Sequence, residues 1–257
     1  MSAAEPEHLL VIGAQRCGTT YLHGLLDAHP QITMARPARP EPKVFCSDEL
    51  ADRGSDWYRA TYFSHTHGER LLGEKSTSYL EDPRAAERAR GMLGNAQIAV
   101  MLRDPVDRAV SNWRFSTDNG FESRPVERAL RENLDAPAAW DTTVTSVSPF
   151  AYVERGRYAD YLPPWLDTFP GTSHVWFLAE LTGDPEAVRS VYADLGVDPE
   201  AGKYASEAVN ASSEPLPSLP ADLVESLRAY YADADEALGR LLNRELPWRV
   251  DVGGANV

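Results

Sequence analysis

A chain of 257 residues can bury one sizeable core, and 43% hydrophobic with 25% charged residues is the balance of a globular protein in water. Its formal charge of −14 excludes broad nucleic-acid binding and disfavours a polyanionic glycan as partner, because anionic backbones are held by basic surfaces. Net charge says nothing against one local basic pocket.

No segment reaches the ~20 apolar residues of a membrane helix. The acidic start Met-Ser-Ala-Ala-Glu-Pro-Glu runs straight into an apolar strand and does not read as a signal peptide. Two cysteines, Cys17 and Cys46, make no disulfide framework and suit a reducing compartment. The expectation is one domain over residues 1–257, cytoplasmic, with tails at 1–7 and 248–257.

Residues 8–14 are an apolar run ended by a turn signal, the pattern of a buried parallel strand. The next stretch, Gly13-Ala-Gln-Arg-Cys-Gly-Thr-Thr20, has its two glycines at the spacing of a G-x-x-x-x-G-K-[ST] phosphate loop. Thr19 stands where that loop has lysine, so triphosphate chemistry is undercut and a different phosphate ligand is implied. The amides of residues 14–20 are expected to point at an anion resting on the N-terminus of a helix over 20–28, where the helix dipole favours negative charge. Arg16 adds a full charge and a planar fork of donors, Thr19 and Thr20 add hydroxyls, and Cys17 is expected to pack against the loop.

The proline-rich stretch 36–42 reads as a loop at the sheet edge where open α/β folds bind ligands. His65-Thr66-His67 reads as polar surface rather than a metal site, its histidines a second choice for a base. A short strand over 70–74 leads into Lys75-Ser76-Thr77, and a helix over 83–93 opens with proline in its first turn. A second strong strand, 97–102, ends at Arg103, and Ser111 lies eight residues on, two turns into a helix over 106–119. That pair suits a second phosphate as well as it suits a salt-bridged helix start with Arg103 on Asp107.

The Ala-, Thr- and Ser-rich stretch 135–149 is the candidate mobile segment or lid. A helix over 157–168, a strand over 174–179, a helix over 185–195 and a loop over 214–220 follow. A last helix over 220–243 carries Leu223, Leu227, Tyr230, Tyr231, Leu238 and Leu241 as its apolar stripe. Strands alternating with helices give an α/β fold: three layers, P-loop-like, with a central parallel sheet flanked by helices. On the loop alone, a small-molecule kinase and a non-catalytic nucleotide-binding regulatory module are rival readings, the first helped by a faint Walker B likeness at 99–104.

Two stretches together, Gly-Ala-Gln-Arg-Cys-Gly-Thr-Thr-Tyr-Leu and Leu-Arg-Asp-Pro-Val-Asp-Arg-Ala-Val-Ser-Asn-Trp, closely resemble the cofactor signatures of PAPS-dependent sulfotransferases. PAPS is 3′-phosphoadenosine 5′-phosphosulfate. The resemblance assigns Arg16, Cys17, Gly18, Thr19 and Thr20 to the 5′-phosphosulfate, and Arg103 with Ser111 to the 3′-phosphate. It is nearest the heparan-sulfate and tyrosylprotein branches, and Gly156-Arg157-Tyr158 with Trp165 and Phe169 has the look of bacterial members.

Glu41-Pro42-Lys43-Val44-Phe45 resembles the loop that supplies the catalytic base in those branches. Gly73-Glu74-Lys75-Ser76-Thr77-Ser78-Tyr79 resembles their segment beside the acceptor. By resemblance Glu41 is the base and Arg16 stabilises the leaving phosphate. Lys75 or Lys43 touches the sulfonate or orients Glu41, and Lys43 and Tyr79 lie toward the acceptor. No metal is required in this reading. The chain departs from the family at Arg16, where many members have lysine, and at 209–215, where a basic, glycine-containing cofactor loop is expected and neither feature occurs. The implied reaction moves a sulfonate from PAPS to a hydroxyl of a small or medium acceptor. Net charge and the aromatic residues Trp57, Tyr58, Tyr62, Phe63, Tyr79 and Trp113 favour a natural product, lipid-like alcohol or phenol.

Overall fold

The computed structural model describes residues 7–136, 139–141, 147–202 and 217–249. In chain order the regular elements are β1 (Glu7–Gly13), α1 (Thr19–Asp27), β2 (Ile32–Met34), α2 (Asp48–Ala51), α3 (Gly54–Tyr62), β3 (Leu71–Lys75), α4 (Ala85–Leu93) and β4 (Ala96–Leu102). They continue with α5 (Pro105–Asp118), α6 (Val126–Asp135), α7 (Pro163–Thr168), β5 (Ser173–Phe177), α8 (Leu178–Leu181), α9 (Pro185–Asp194) and α10 (Ala221–Leu242). They fall into two compact units, one within Met1–Leu102 and Tyr161–Ser212, the other within Arg103–Asp160 and Ser213–Val257.

The first unit holds a five-stranded sheet, every pair parallel, in the order β2-β3-β1-β4-β5. β1 is central, and Leu9, Leu10, Val11 and Ile12 are wholly buried on both faces. That is why it reads as an unbroken apolar run rather than an alternating one. Chain order reverses around β1, with β3 on one side and β4 on the other. The loops after β1 and β3 therefore emerge side by side at the carboxyl edge, where such folds bind ligands. Ser76 N–H donates to Val11 O (3.1 Å) and Leu80 N–H to Ile12 O (3.1 Å), carrying the β1–β3 ladder past the end of β3.

The second unit is helical. Val106, Ala109 and Val110 of α5, Ala129 and Leu130 of α6, and Leu223, Leu227 and Tyr231 of α10 close a core around Tyr152 and Val153. Asp104 caps α5 by accepting from Val106 N–H (2.9 Å), and Arg228 of α10 grips both Asp104 oxygens at 2.9 and 2.6 Å.

The four expected strands and the α/β class are present, with differences. β2 has only three residues, too few for a periodic signal. Helices α2, α3, α6 and α8 were not expected, and α8 takes up Leu178 and Ala179, the last two residues of the strand expected over 174–179. The helix expected over 157–168 is instead a turn at Tyr158–Asp160 and then α7, which begins at Pro163-Pro164. Proline has no N–H and clashes with the preceding turn, so two adjacent prolines can open a helix but not sit inside one. Of the stretch 135–149, residues 137–138 and 142–146 lie outside the described residues, as do all of 209–215 and the tails at 1–6 and 250–257. Among the described residues no helix is long and apolar enough to cross a membrane.

Candidate active site

Between β1 and α1 the chain turns through two left-handed residues, Arg16 (φ 67°) and Gly18 (φ 83°). Glycine adopts this conformation without cost; arginine does not, and strain of roughly 1–3 kcal/mol at a non-glycine residue persists only where the surroundings impose it. A Cβ at Gly18 would also lie 2.5 Å from Leu178 Cδ1, so that leucine would have to shift to admit one. As the N-cap of α1 it offers no side-chain acceptor, so the first amides of the helix have no partner from the cap. Arg16 is exposed, Thr19 buried and Thr20 half-buried at this end.

Not all of the amides expected to face an anion do so. Ala14 N–H donates to Met101 O (2.8 Å), extending the β1–β4 ladder, and Cys17 N–H donates to Ala14 O (3.2 Å), closing the turn. Cys17 is wholly buried with Sγ against Gln15 O at 3.7 Å, so it packs the loop from beneath and does not offer a donor to a ligand. The Ala14 and Cys17 amides are thus spent within the protein, while Gly18 caps α1 and Thr19 and Thr20 begin it.

The second loop belongs to Glu41. Lys75, the last residue of β3, places its ammonium on Glu41 Oε1. Thr77 donates to Oε2 twice, from N–H at 3.0 Å and from Oγ1 at 3.1 Å. The Glu41 side chain is 18% exposed and that of Lys75 11%, so this is a held carboxylate and not a solvated loop residue. Oε2 has both donors it can readily take. Oε1 holds Lys75 and also lies 3.4 Å from Thr77 Oγ1, so the threonine hydroxyl leans on both oxygens.

Beneath the pair lies a second, fully buried acid. Successive strand residues point to opposite faces, so Glu74 turns away from the side that Lys75 serves. It accepts from Tyr58 Oη (2.6 Å), Tyr79 Oη (2.8 Å) and Ser76 Oγ. Burial pushes its carboxyl above the usual range, and the three hydroxyl donors pull it back. Tyr79, expected to line the acceptor side, is wholly buried with its hydroxyl between Glu74 and Phe45 N–H (3.3 Å); it supports the loop from within. Lys43 has left-handed backbone (φ 50°) and donates its N–H to Ser76 Oγ (2.9 Å).

In the helical unit, Arg103 is half-buried, with its guanidinium 3.5 Å from Asp107 and its carbonyl accepting from Tyr158 Oη (2.8 Å). Ser111 is 8% exposed on α5. The salt-bridged helix start foreseen for Arg103 is thus present. Arg108, from the same signature, is buried and structural, donating to the carbonyls of Ala151 and Tyr152.

Two contributors went unseen in the sequence. Thr77 stands two residues after Lys75, and only the turn after β3 brings both of its donors to Glu41. His23 lies one helical turn beyond Thr19, on the same face of α1. Burial holds its pKa below the ordinary 6.5, with Lys75 and Arg36 adding to that and Asp27 and Glu41 opposing it. His65 is engaged with Met34 O at 3.1 Å. Among the described residues no group of three or more His, Cys, Asp and Glu side chains could hold a metal ion.

A sulfotransferase-domain profile matches residues 6–188. The mouse heparan sulfate glucosamine 3-O-sulfotransferase 6 is 33% identical over 181 residues, covering 68% of this chain and 48% of that protein. A bifunctional heparan sulfate N-deacetylase/N-sulfotransferase 1 from Caenorhabditis briggsae is 29% identical over 190 residues, 71% of this chain and 21% of its own length. Both of these relatives are much longer than their matching region, and the chain spans about a fifth of one and about half of the other. Among solved structures, a sulfotransferase from Alicyclobacillus acidocaldarius superposes with a TM-score of 0.74 at 28% identity, covering 95% of this chain and 98% of that one.

Proposed function

The chain belongs to the PAPS-dependent sulfotransferase family, and on that premise we propose that it transfers a sulfonate from PAPS to the hydroxyl of a small or medium acceptor. One observation carries the reading. Glu41 is held by Lys75 and Thr77 at the carboxyl end of β3, the strand paired with β1, from which the phosphate loop emerges.

The residues present fit such a donor. A glycine-capped helix start with Arg16 beside it is suited to a phosphosulfate, and Arg103 with Ser111 is proposed for the 3′-phosphate. PAPS supplies the electrophilic sulfur and a phosphate leaving group. The Glu41 carboxylate takes the acceptor's hydroxyl proton, general-base help worth ~10²–10⁴-fold. The freed oxygen pair forms the new S–O bond as the bond from sulfur to the bridging phosphate oxygen breaks. Arg16 and the first amides of α1 stabilise the charge gathering on that oxygen. Arginine does not give up its proton, so Arg16 acts by charge alone. Lys75 aims Glu41 and reaches toward the sulfonate, and Lys43 stands on the acceptor side of the same loop. This division of labour, positioning plus electrostatics, is what in-line transfer at a tetrahedral centre needs.

The charge of −14 favours a phenol or lipid-like alcohol over a polyanion. The relatives named for heparan sulfate favour a glycan hydroxyl as the second reading. Calorimetry with adenosine 3′,5′-bisphosphate against ATP-Mg²⁺ tests the donor, and binding of ATP-Mg²⁺ alone turns the assignment to a kinase. Transfer of labelled sulfonate to phenols, long-chain alcohols and desulfated heparin fragments then ranks the acceptors. Good bisphosphate binding without transfer to any of them indicates a non-catalytic module.

A further inference from the structure

Glu74 lies outside the chemistry described above, yet it is an acid with 0% exposure and no cation among the hydrogen-bond partners that surround its oxygens. Ser76 and Tyr79 both donate to its Oε1, and Tyr58 donates to its Oε2. Ser76 and Tyr79 then have only lone pairs to show elsewhere, and those lone pairs meet backbone N–H groups: Lys43 at 2.9 Å on Ser76 Oγ and Phe45 at 3.3 Å on Tyr79 Oη. A hydroxyl turned the other way would set donor against donor in a buried place, at the cost of a lost hydrogen bond. Residues 43–45 are the continuation of the loop that carries Glu41 two positions earlier.

We propose that Glu74 is a positioning residue for Glu41: its carboxylate fixes the hydrogens of Ser76 and Tyr79, and their oxygens hold the 43–45 backbone so that Glu41 meets Lys75 and Thr77. The inference rests on the reading of Glu41 as the base. Tyr58 supplies an internal control, because its hydroxyl donates to Glu74 but does not bond to the loop.

The test compares Glu74→Leu, Ser76→Ala, Tyr79→Phe and Tyr58→Phe in the full chain. It uses transfer of labelled sulfonate to 2-naphthol, calorimetry with adenosine 3′,5′-bisphosphate, and hydrogen exchange at the amides of Lys43 and Phe45. Leucine removes the oxygen to which Ser76 and Tyr79 both donate, whereas glutamine would keep it and turn its N–H toward Tyr58. Glu74→Leu is therefore expected to lower kcat by as much as ~100-fold, the cost of slight misplacement of a reacting group. Bisphosphate affinity should stay unchanged, and both amides should exchange faster. Ser76→Ala and Tyr79→Phe should each do part of this, with combined losses no larger than that of Glu74→Leu, while Tyr58→Phe keeps kcat and loop exchange. Wild-type exchange and turnover in Glu74→Leu, or equal losses in Tyr58→Phe and Tyr79→Phe, overturn the proposal. If Glu74→Leu does not fold, the three hydroxyl variants decide it. Glu41→Gln separates the two ideas. Full turnover there removes the base reading, whereas amide exchange still scores the scaffold, and a dead Glu41→Gln with an unaffected Glu74→Leu removes only the scaffold.

Discussion

The phosphate loop and the Glu41 loop share one device and differ in everything else. Each bends through a long, charged residue in left-handed backbone, Arg16 at φ 67° and Lys43 at φ 50°. The phosphate loop is held by its neighbours in sequence: Gly18, the Cys17–Ala14 turn, and the helix it opens. The Glu41 loop is held from more than thirty residues away, by Lys75, Ser76, Thr77 and Tyr79 on and after β3. A site that must receive an anion can be built from local backbone, because amides and a helix dipole are available to any glycine-turned strand–helix junction. A base must be aimed at one atom, and that takes side chains converging from a second strand.

If this division is right, the two loops fail differently. Glu41→Gln should show the largest effect, a fall in kcat of ~10²–10⁴-fold, with adenosine 3′,5′-bisphosphate binding retained by calorimetry. A variant that kept its turnover would place the base elsewhere. Arg16 should come next. Arg16→Ala is expected to lose ~10²–10³-fold in kcat, the usual cost of one preorganised charge-stabilising group. Arg16→Gly should be as slow yet more stable than Arg16→Ala by about 1 kcal/mol, because only glycine escapes the left-handed penalty. Equal melting temperatures for the two would mean the backbone at residue 16 carries no strain.

Smaller effects probe the supports. Gly18→Ala forces a Cβ to within 2.5 Å of Leu178 Cδ1 at a positive φ, and ~1–3 kcal/mol of stability should go with it. Denaturant titration measures that, and bisphosphate affinity should fall in parallel. Thr77→Val removes the hydroxyl but keeps the N–H on Glu41. With ~0.5–1.5 kcal/mol at stake in one hydrogen bond, kcat should drop several-fold with bisphosphate affinity unchanged. A loss in affinity instead would show that the two loops are not separable.

The same contrast explains what the sequence disclosed. Gly13, Gly18 and the buried run of β1 announce themselves because their constraint is local: a spacing and an unbroken apolar strand. Glu41 and Lys75 were reached only through family resemblance, since no spacing rule pairs residues 41 and 75. Thr77 and Glu74 stay hidden in the sequence although both stand in the 73–79 segment that carries the resemblance. Their roles depend on which way side chains turn at and after the end of β3, and only the assembled sheet settles that. Tyr79 was misjudged for the same reason. Its motif position suggested the acceptor side, while its ring is buried against Phe45 at 5.3 Å between centroids. Pro163-Pro164, by contrast, was a local signal for a helix start that the longer apolar pattern outweighed.

His23 offers the smallest effect and the most direct test of separability. It belongs to α1, the helix the phosphate loop opens, yet Lys75 and Glu41 of the other loop act on its charge. Burial is the largest cause and lowers its pKa below 6.5, so the folded protein binds fewer protons there than the unfolded chain as pH falls through 6.5. Stability therefore rises with pH across that window and is lost on acidification. His8 adds to the same slope, being buried beside Arg59 with its pKa lowered to about 4, so the share of His23 is a difference between two curves. His23→Gln should flatten the fall in stability just below pH 6.5 and leave the steeper part toward pH 4 in place, read from melting temperatures across that range. Repeating the pair of curves in a Lys75→Met background tests the link between the loops. Without the ammonium, the difference that His23→Gln makes should shrink, since one cause of the depressed pKa is gone. An unchanged difference would mean that burial alone sets the behaviour of His23, and that the base loop ends, electrostatically, at Lys75.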